Sequence, residues 1–182
     1  MRRAVALLGA TFWVFVGGCQ PITAPATPTA TLAPTPTVAG AVPVDVPRTQ
    51  VLVAADDAFQ RGAPAAADEL YRRVLGTPPR PGETRATQDA VEQYARYREV
   101  LSQLLLGRED QARSQLRQLE ERLPDAPFTR LAAQLWEQYG MTADVRAACA
   151  SVQAQVEQVR PVLEVLGQAG VVVDAATVCR AG

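Results

Sequence analysis

Residues 20–47 most constrain what this chain can build, because seven prolines and six threonines fall there and no charge precedes Asp45. Proline fixes φ and has no N–H to donate. Such a stretch sustains neither a helix nor a strand ladder, and is expected to be disordered, extended and polyproline-like. A buried core must therefore come from the residues that follow, roughly 135 of the 182. That is enough for one domain hiding about two-thirds of its unfolded surface. At about 3.1 Å per residue the spacer would hold that domain up to roughly 80 Å from whatever fixes its other end. Its Thr-Pro pairs also suit O-linked sugar, although a plain linker is the simpler reading.

Ahead of the spacer, Met1-Arg2-Arg3 precedes an apolar run over 4–16, the charged start and hydrophobic stretch of a secretory signal. The run is too short to span a bilayer core, which needs roughly 20 apolar residues. Export and cleavage are the expectation. The run ends in Val16-Gly17-Gly18-Cys19, which resembles the lipobox of bacterial lipoproteins. The resemblance implies that 1–18 is a lipoprotein signal peptide and that the Cys19 thiol carries acyl chains such as palmitate. Residues 19–47 then become a lipid-anchored linker outside the cytoplasm. Two or more chains hold a protein on a membrane where one gives only marginal binding. The alternative is an ordinary signal peptide with Cys19 a spare thiol. Gln20 differs from the Asp linked with inner-membrane retention in some diderm bacteria, so the inner and outer membranes both stay open.

The composition excludes several classes of function. Net charge is -1, and without Arg2 and Arg3 there are 16 arginines against 19 acids. No basic patch points to nucleic acid as a partner. The chain has no His, no Lys and no Asn. Without His there is no Cys-His pair, no Ser-His-Asp arrangement and no His-based zinc site. Asp56-Asp57, Asp68-Glu69, Glu109-Asp110 and Glu120-Glu121 are adjacent acids, which point in different directions on a helix and read as solvated faces. Asp68-Glu69 and Glu109-Asp110 also suit the first turn of a helix dipole. The expectation is a chain that is not an enzyme and takes no cofactor and no metal.

After Arg48, apolar residues recur at three- and four-residue spacing, interrupted by Gly and Pro. This predicts an all-α domain with helices over 49–61, 64–75, 85–106, 109–122, 127–139, 143–159 and 161–168. Pro64 suits a first helical turn, Gly107 and Gly140 suit C-terminal caps, and Thr142 and Asp174 suit N-caps. Val171-Val172-Val173 is too short and isolated for a sheet and reads as an apolar extended segment lying across helices.

Two segments align at a constant offset of 45 residues: Gly62 with Gly107, Ala67 with Ala112, Tyr71 with Leu116, Arg72 with Arg117, Val74 with Leu119, Pro79 with Pro124. The order of turn Gly, helical Ala, bulky residue, apolar residue and closing Pro resembles the second helix of a tetratricopeptide repeat. Val51, Ala54, Ala55 and Ala58 match the packed face of a first helix, as do Leu131, Ala132, Ala133 and Trp136. Val145, Cys149 and Val152 match a third unit. The period exceeds the family's usual 34, through a Pro/Gly loop or a longer helix over 80–87, and Arg96 and Val100 depart from the pattern. The resemblance implies a short array of about six or seven helices over 48–160, with a capping segment over 161–182. A plain helical bundle is the alternative.

One helical hairpin cannot bury its own apolar face, so stacked hairpins supply the core and leave a curved surface that binds proteins or peptides. Candidates on that surface are Tyr94, Tyr97, Leu101 and Leu104 from the third helix and Arg130 and Gln134 from the fifth. The competing reading puts Tyr94, Leu101 and Leu104 in the core. With Cys19 assigned to lipid, Cys149 and Cys179 form an even pair. A disulfide would tie the tail to the 143–159 helix and cap the array, and two free buried thiols are the alternative. The functional expectation is a membrane-anchored lipoprotein whose helical repeats mediate protein–protein interaction or scaffolding in the cell envelope. A self-associating spacer is second and a cell-wall-acting enzyme third.

Overall fold

The computed structural model describes residues 46–180. The signal peptide, Cys19 and all but the last two linker residues lie outside them. Every regular element among the described residues is helical. Seven α-helices follow in order: α1 Arg48–Gln60, α2 Pro64–Gly76, α3 Arg85–Leu105, α4 Glu109–Arg122, α5 Pro127–Thr142, α6 Val145–Val152 and α7 Arg160–Gln168. A 3₁₀ segment, Gln153–Val159, joins α6 to α7, and a short one, Ala175–Thr177, closes the tail.

The 45-residue offset is a repeat of backbone geometry. Gly62 and Gly107 both take positive φ, 73° and 68°, the left-handed turn that glycine adopts at no steric cost. Each reverses the chain so that the next helix starts two residues later, at Pro64 and Glu109. Ala67 and Ala112 are both fully buried at matching positions, followed inward by Tyr71 and Val74 in α2 and by Leu116 and Leu119 in α4. The added length of the unit has two sources, an eight-residue loop over 77–84 and the 21-residue α3 that follows it.

That long helix is the axis of the molecule. α1, α2, α4, α5, α6 and α7 all pack against α3, and its residues from Gln93 to Leu104 are buried without a break. A helix covered on all sides loses the polar stripe of a surface helix, so its charged residues must find partners inside. Phe128 of α5 packs on it between Tyr94 and Tyr97, with ring centroids 5.3 and 5.2 Å away.

Two expected features shift at the C-terminal end. α5 runs through Gly140 and ends at Ala143, whose φ is 52°. The N-cap of α6 is Asp144, not Thr142, with its carboxylate accepting from the N–H groups of Arg146 and Ala147. The helix expected over 143–159 divides at Gln153. Pro161 has no N–H to give the carbonyl four residues back and its ring crowds that carbonyl. The chain tightens to 3₁₀ instead, where Val156 and Val159, one three-residue turn apart, both face inward. Asp174 caps the final 3₁₀ turn as expected, and Val171 is buried beside an exposed Val172.

Candidate functional site

Four of the six residues expected on a binding surface lie in the core. Tyr94, Tyr97 and Leu101 are fully buried and Leu104 nearly so, because α3 is enclosed and presents no open face there. Arg130 is exposed and donates from Nη1 to the Asp125 carbonyl at 2.7 Å. Gln134 is half-buried, and its amide oxygen has no hydrogen-bond partner. These six do not form one surface. Cys149 and Cys179 are joined in a disulfide with Cα atoms 5.2 Å apart.

Tyr94 and Tyr97 instead belong to a buried polar network. The hydroxyls of Tyr71 and Tyr94 each donate to Asp56, one to each carboxylate oxygen, both at 2.6 Å. Arg98 donates from Nε to the Tyr94 oxygen at 2.8 Å and lies 3.3 Å from Asp56. The Val178 carbonyl accepts from Arg98 Nη1 and from the Tyr97 hydroxyl. The Arg98 guanidinium also sits over the Phe59 ring, 4.6 Å from its centroid. Burial pushes the hydroxyls of Tyr71, Tyr94 and Tyr97 well above their usual range, so they stay donors. Burial alone would pull the Arg98 guanidinium down, but Tyr94, Tyr71 and Asp56 outweigh it and hold the charge. Asp56 was expected on a solvated face. Its signal in the sequence was its place four residues after Leu52, on the apolar side of α1.

Two further carboxylates, Asp68 and Glu99, are equally hidden. Asp68, expected in a solvated first turn, is fully buried and accepts from Gln103 Nε2 and Arg72 Nη2, each at 2.6 Å. Glu99 is 1% exposed, and neither of its oxygens has a partner. Burial, reinforced by the nearby Asp68 charge and offset in part by Arg96 and Arg72, pushes the Glu99 carboxyl up to about 7. Two acids with unlike environments are the raw material of acid–base chemistry. Neither, however, lines any of the described cavities. Among the described residues no group of three His, Cys, Asp or Glu is placed to hold a metal, and no described helix is long and apolar enough to cross a membrane.

A cleft of about 400 Å³ opens where the 77–84 loop leaves α2 and enters α3. Arg48, Arg85, Arg96 and Arg122 line it, with Asp89 and Glu92 as the acids among them. These guanidinium groups are held in place. Arg48 reaches both Glu83 oxygens from Nε, at 3.0 and 3.1 Å. Arg96 bonds Glu92 at 3.1 Å, Gln118 at 3.0 Å and Gln115 at 3.3 Å, and Arg122 bonds Glu92. Burial works against the Glu92 charge, but the bonds from Arg122 and Arg96 outweigh it and hold the carboxyl below its usual range. In the sequence Arg96 is a misfit at an apolar position of the repeat and stands four residues after Glu92, its partner on one helical face. The structure makes that pair, and misfit and pair were the legible signs of the cleft.

The fold and cleft define an all-α array of helical hairpins with a basic opening at its long inter-helix loop. The chain matches no family model, no curated protein and no solved structure.

Proposed function

We propose that this chain is a lipoprotein anchored through acylated Cys19 outside the cytoplasm, whose array of tetratricopeptide-like hairpins recognises or scaffolds another protein of the cell envelope. In this reading it acts by binding and not by catalysis. The observation that carries it is the cleft at the 77–84 loop, where guanidinium groups are fixed in advance by Glu83, Glu92, Gln115 and Gln118. Side chains ordered before a partner arrives lose little freedom on binding. The closed body adds support, because the disulfide and the Val178 contacts hold the tail on the array.

The test is surface cross-linking in intact cells followed by capture of the tagged full chain. Enrichment of one envelope protein, lost in an Arg85→Gln, Arg122→Gln double variant, is the expected result. Capture of the chain itself alone points to a self-associating spacer. Anchoring is tested separately: Cys19→Ser should move the protein from the membrane fraction to the soluble one and abolish palmitate labelling. Continued membrane retention overturns the anchor.

A further inference from the structure

We propose that the basic cleft takes an acidic peptide segment whose carboxylates sit on Arg85, Arg96 and Arg122. This rests on the partner-binding reading above and names the chemistry of the partner. The sign of the site is the first ground: four arginines share three acids, Arg48 on Glu83, Arg85 on Asp89, and Arg96 and Arg122 together on Glu92, which leaves an excess of positive charge. The residues from Arg85 to Asp89 also form the opening of a 21-residue helix, whose N-terminal N–H groups add positive potential.

Geometry supplies the second ground. Glu92 already lies between Arg96 and Arg122 and bonds both through their Nε atoms. The protein's own carboxylate thus shows how an acid seats on these groups. A guanidinium offers five donors in a flat fork, so one bound carboxylate leaves further N–H groups for a second. The Arg85 and Arg122 side chains are 82% and 60% exposed, placed to reach a ligand, while Arg96 is fixed deeper.

Arginine binds carboxylate and phosphate alike, and the wall decides between them. Pro78 and Pro79 are exposed on the same cleft and Leu75 is half-buried there, above the buried Val74 and Val91. A bare phosphate gains nothing from such a wall, whereas a peptide that alternates acidic and aliphatic residues covers it.

The test uses the full chain in a non-ionic detergent and fluorescence anisotropy with two labelled nonapeptides, one alternating Glu and Leu, the other its Gln-for-Glu counterpart. The acidic peptide should bind, weaken as salt rises, and bind about tenfold more tightly than the amide peptide. The double variant Arg85→Gln, Arg122→Gln should lose at least about tenfold for the acidic peptide. Its thermal melt should fall only slightly and its helical signal should be kept, since the ion pairs lost, Arg85 with Asp89 and Arg122 with Glu92, lie on the rim. Equal binding of the two peptides, no binding of either, or an unaltered affinity in the folded double variant overturns the proposal. Displacement by inorganic pyrophosphate mole for mole also overturns it, in favour of a phosphate ligand. Capture of an envelope protein that persists in the double variant sinks the cleft and keeps the partner-binding reading. Absence of both capture and peptide binding in the parent chain sinks both.

Discussion

Two polar centres are packed on the same buried helix and follow opposite rules. Around Asp56, Arg98 answers the carboxylate, two tyrosine hydroxyls fill its oxygens, and the Val178 carbonyl takes the remaining donors except Arg98 Nη2. Around Glu99, its own two oxygens, the Ser102 hydroxyl and the Gln103 amide oxygen have no partner. The first centre ties α1, α2, α3 and the tail together. The second leaves a carboxyl that is comfortable only when it carries its proton. In a low dielectric, a compensated charge resists removal of any partner, whereas an uncompensated one costs free energy simply by being charged.

The largest expected effect breaks the compensated centre. Asp56→Ala should lower the unfolding free energy by about 3–5 kcal/mol in urea denaturation, because it strands the buried Arg98 charge. The paired change Asp56→Leu, Arg98→Met should recover only the part due to the stranded charge, since the buried Tyr71 and Tyr94 hydroxyls lose their acceptor in both variants. If Asp56→Ala alone were nearly neutral, the contrast between the centres would collapse. Next, Cys149→Ser or Cys179→Ser should cost about 2–4 kcal/mol, measured as a drop in melting temperature, since the bond closes a loop of sequence separation 30.

Glu99→Gln sharpens the other side. Folded, the Glu99 carboxyl is pushed up to about 7, while an unfolded glutamate titrates near about 4.3. Between those values the native state holds a proton that the unfolded state has released, so stability falls as pH rises and levels off above about 7. The variant should lose that slope. Above pH 7 it should be more stable than the parent, by on the order of 3 kcal/mol at most. A parent whose stability is flat between pH 5 and 8 would contradict this. The smallest effect is Arg160→Ala, at an exposed pair with Glu157, where no shift in melting temperature is expected.

The helices were largely legible because apolar spacing, Gly62, Gly107 and Pro64 are local signals that tertiary packing did not override. The polar centres were not. Asp56 and Asp68 read as halves of exposed acidic pairs, since adjacency on a helix gives direction but not what lies opposite. What lies opposite Asp56 is Arg98 and Tyr94, about forty residues away in sequence, and no periodicity carries that distance. Tyr94 was read both ways and Tyr97 as a surface residue, and burial settles both in the core. α6 was taken too long because the apolar pattern continues past Val152 while Pro161, further on, decides the backbone.

The Val178 carbonyl has a further consequence in time. Arg98 meets its last acceptor 80 residues downstream, so a chain still emerging from a ribosome holds α1, α2 and α3 with a guanidinium facing an unfinished wall. The helical hairpins can form early, being local. The lock cannot. It closes only once Val178 has been made and folded back.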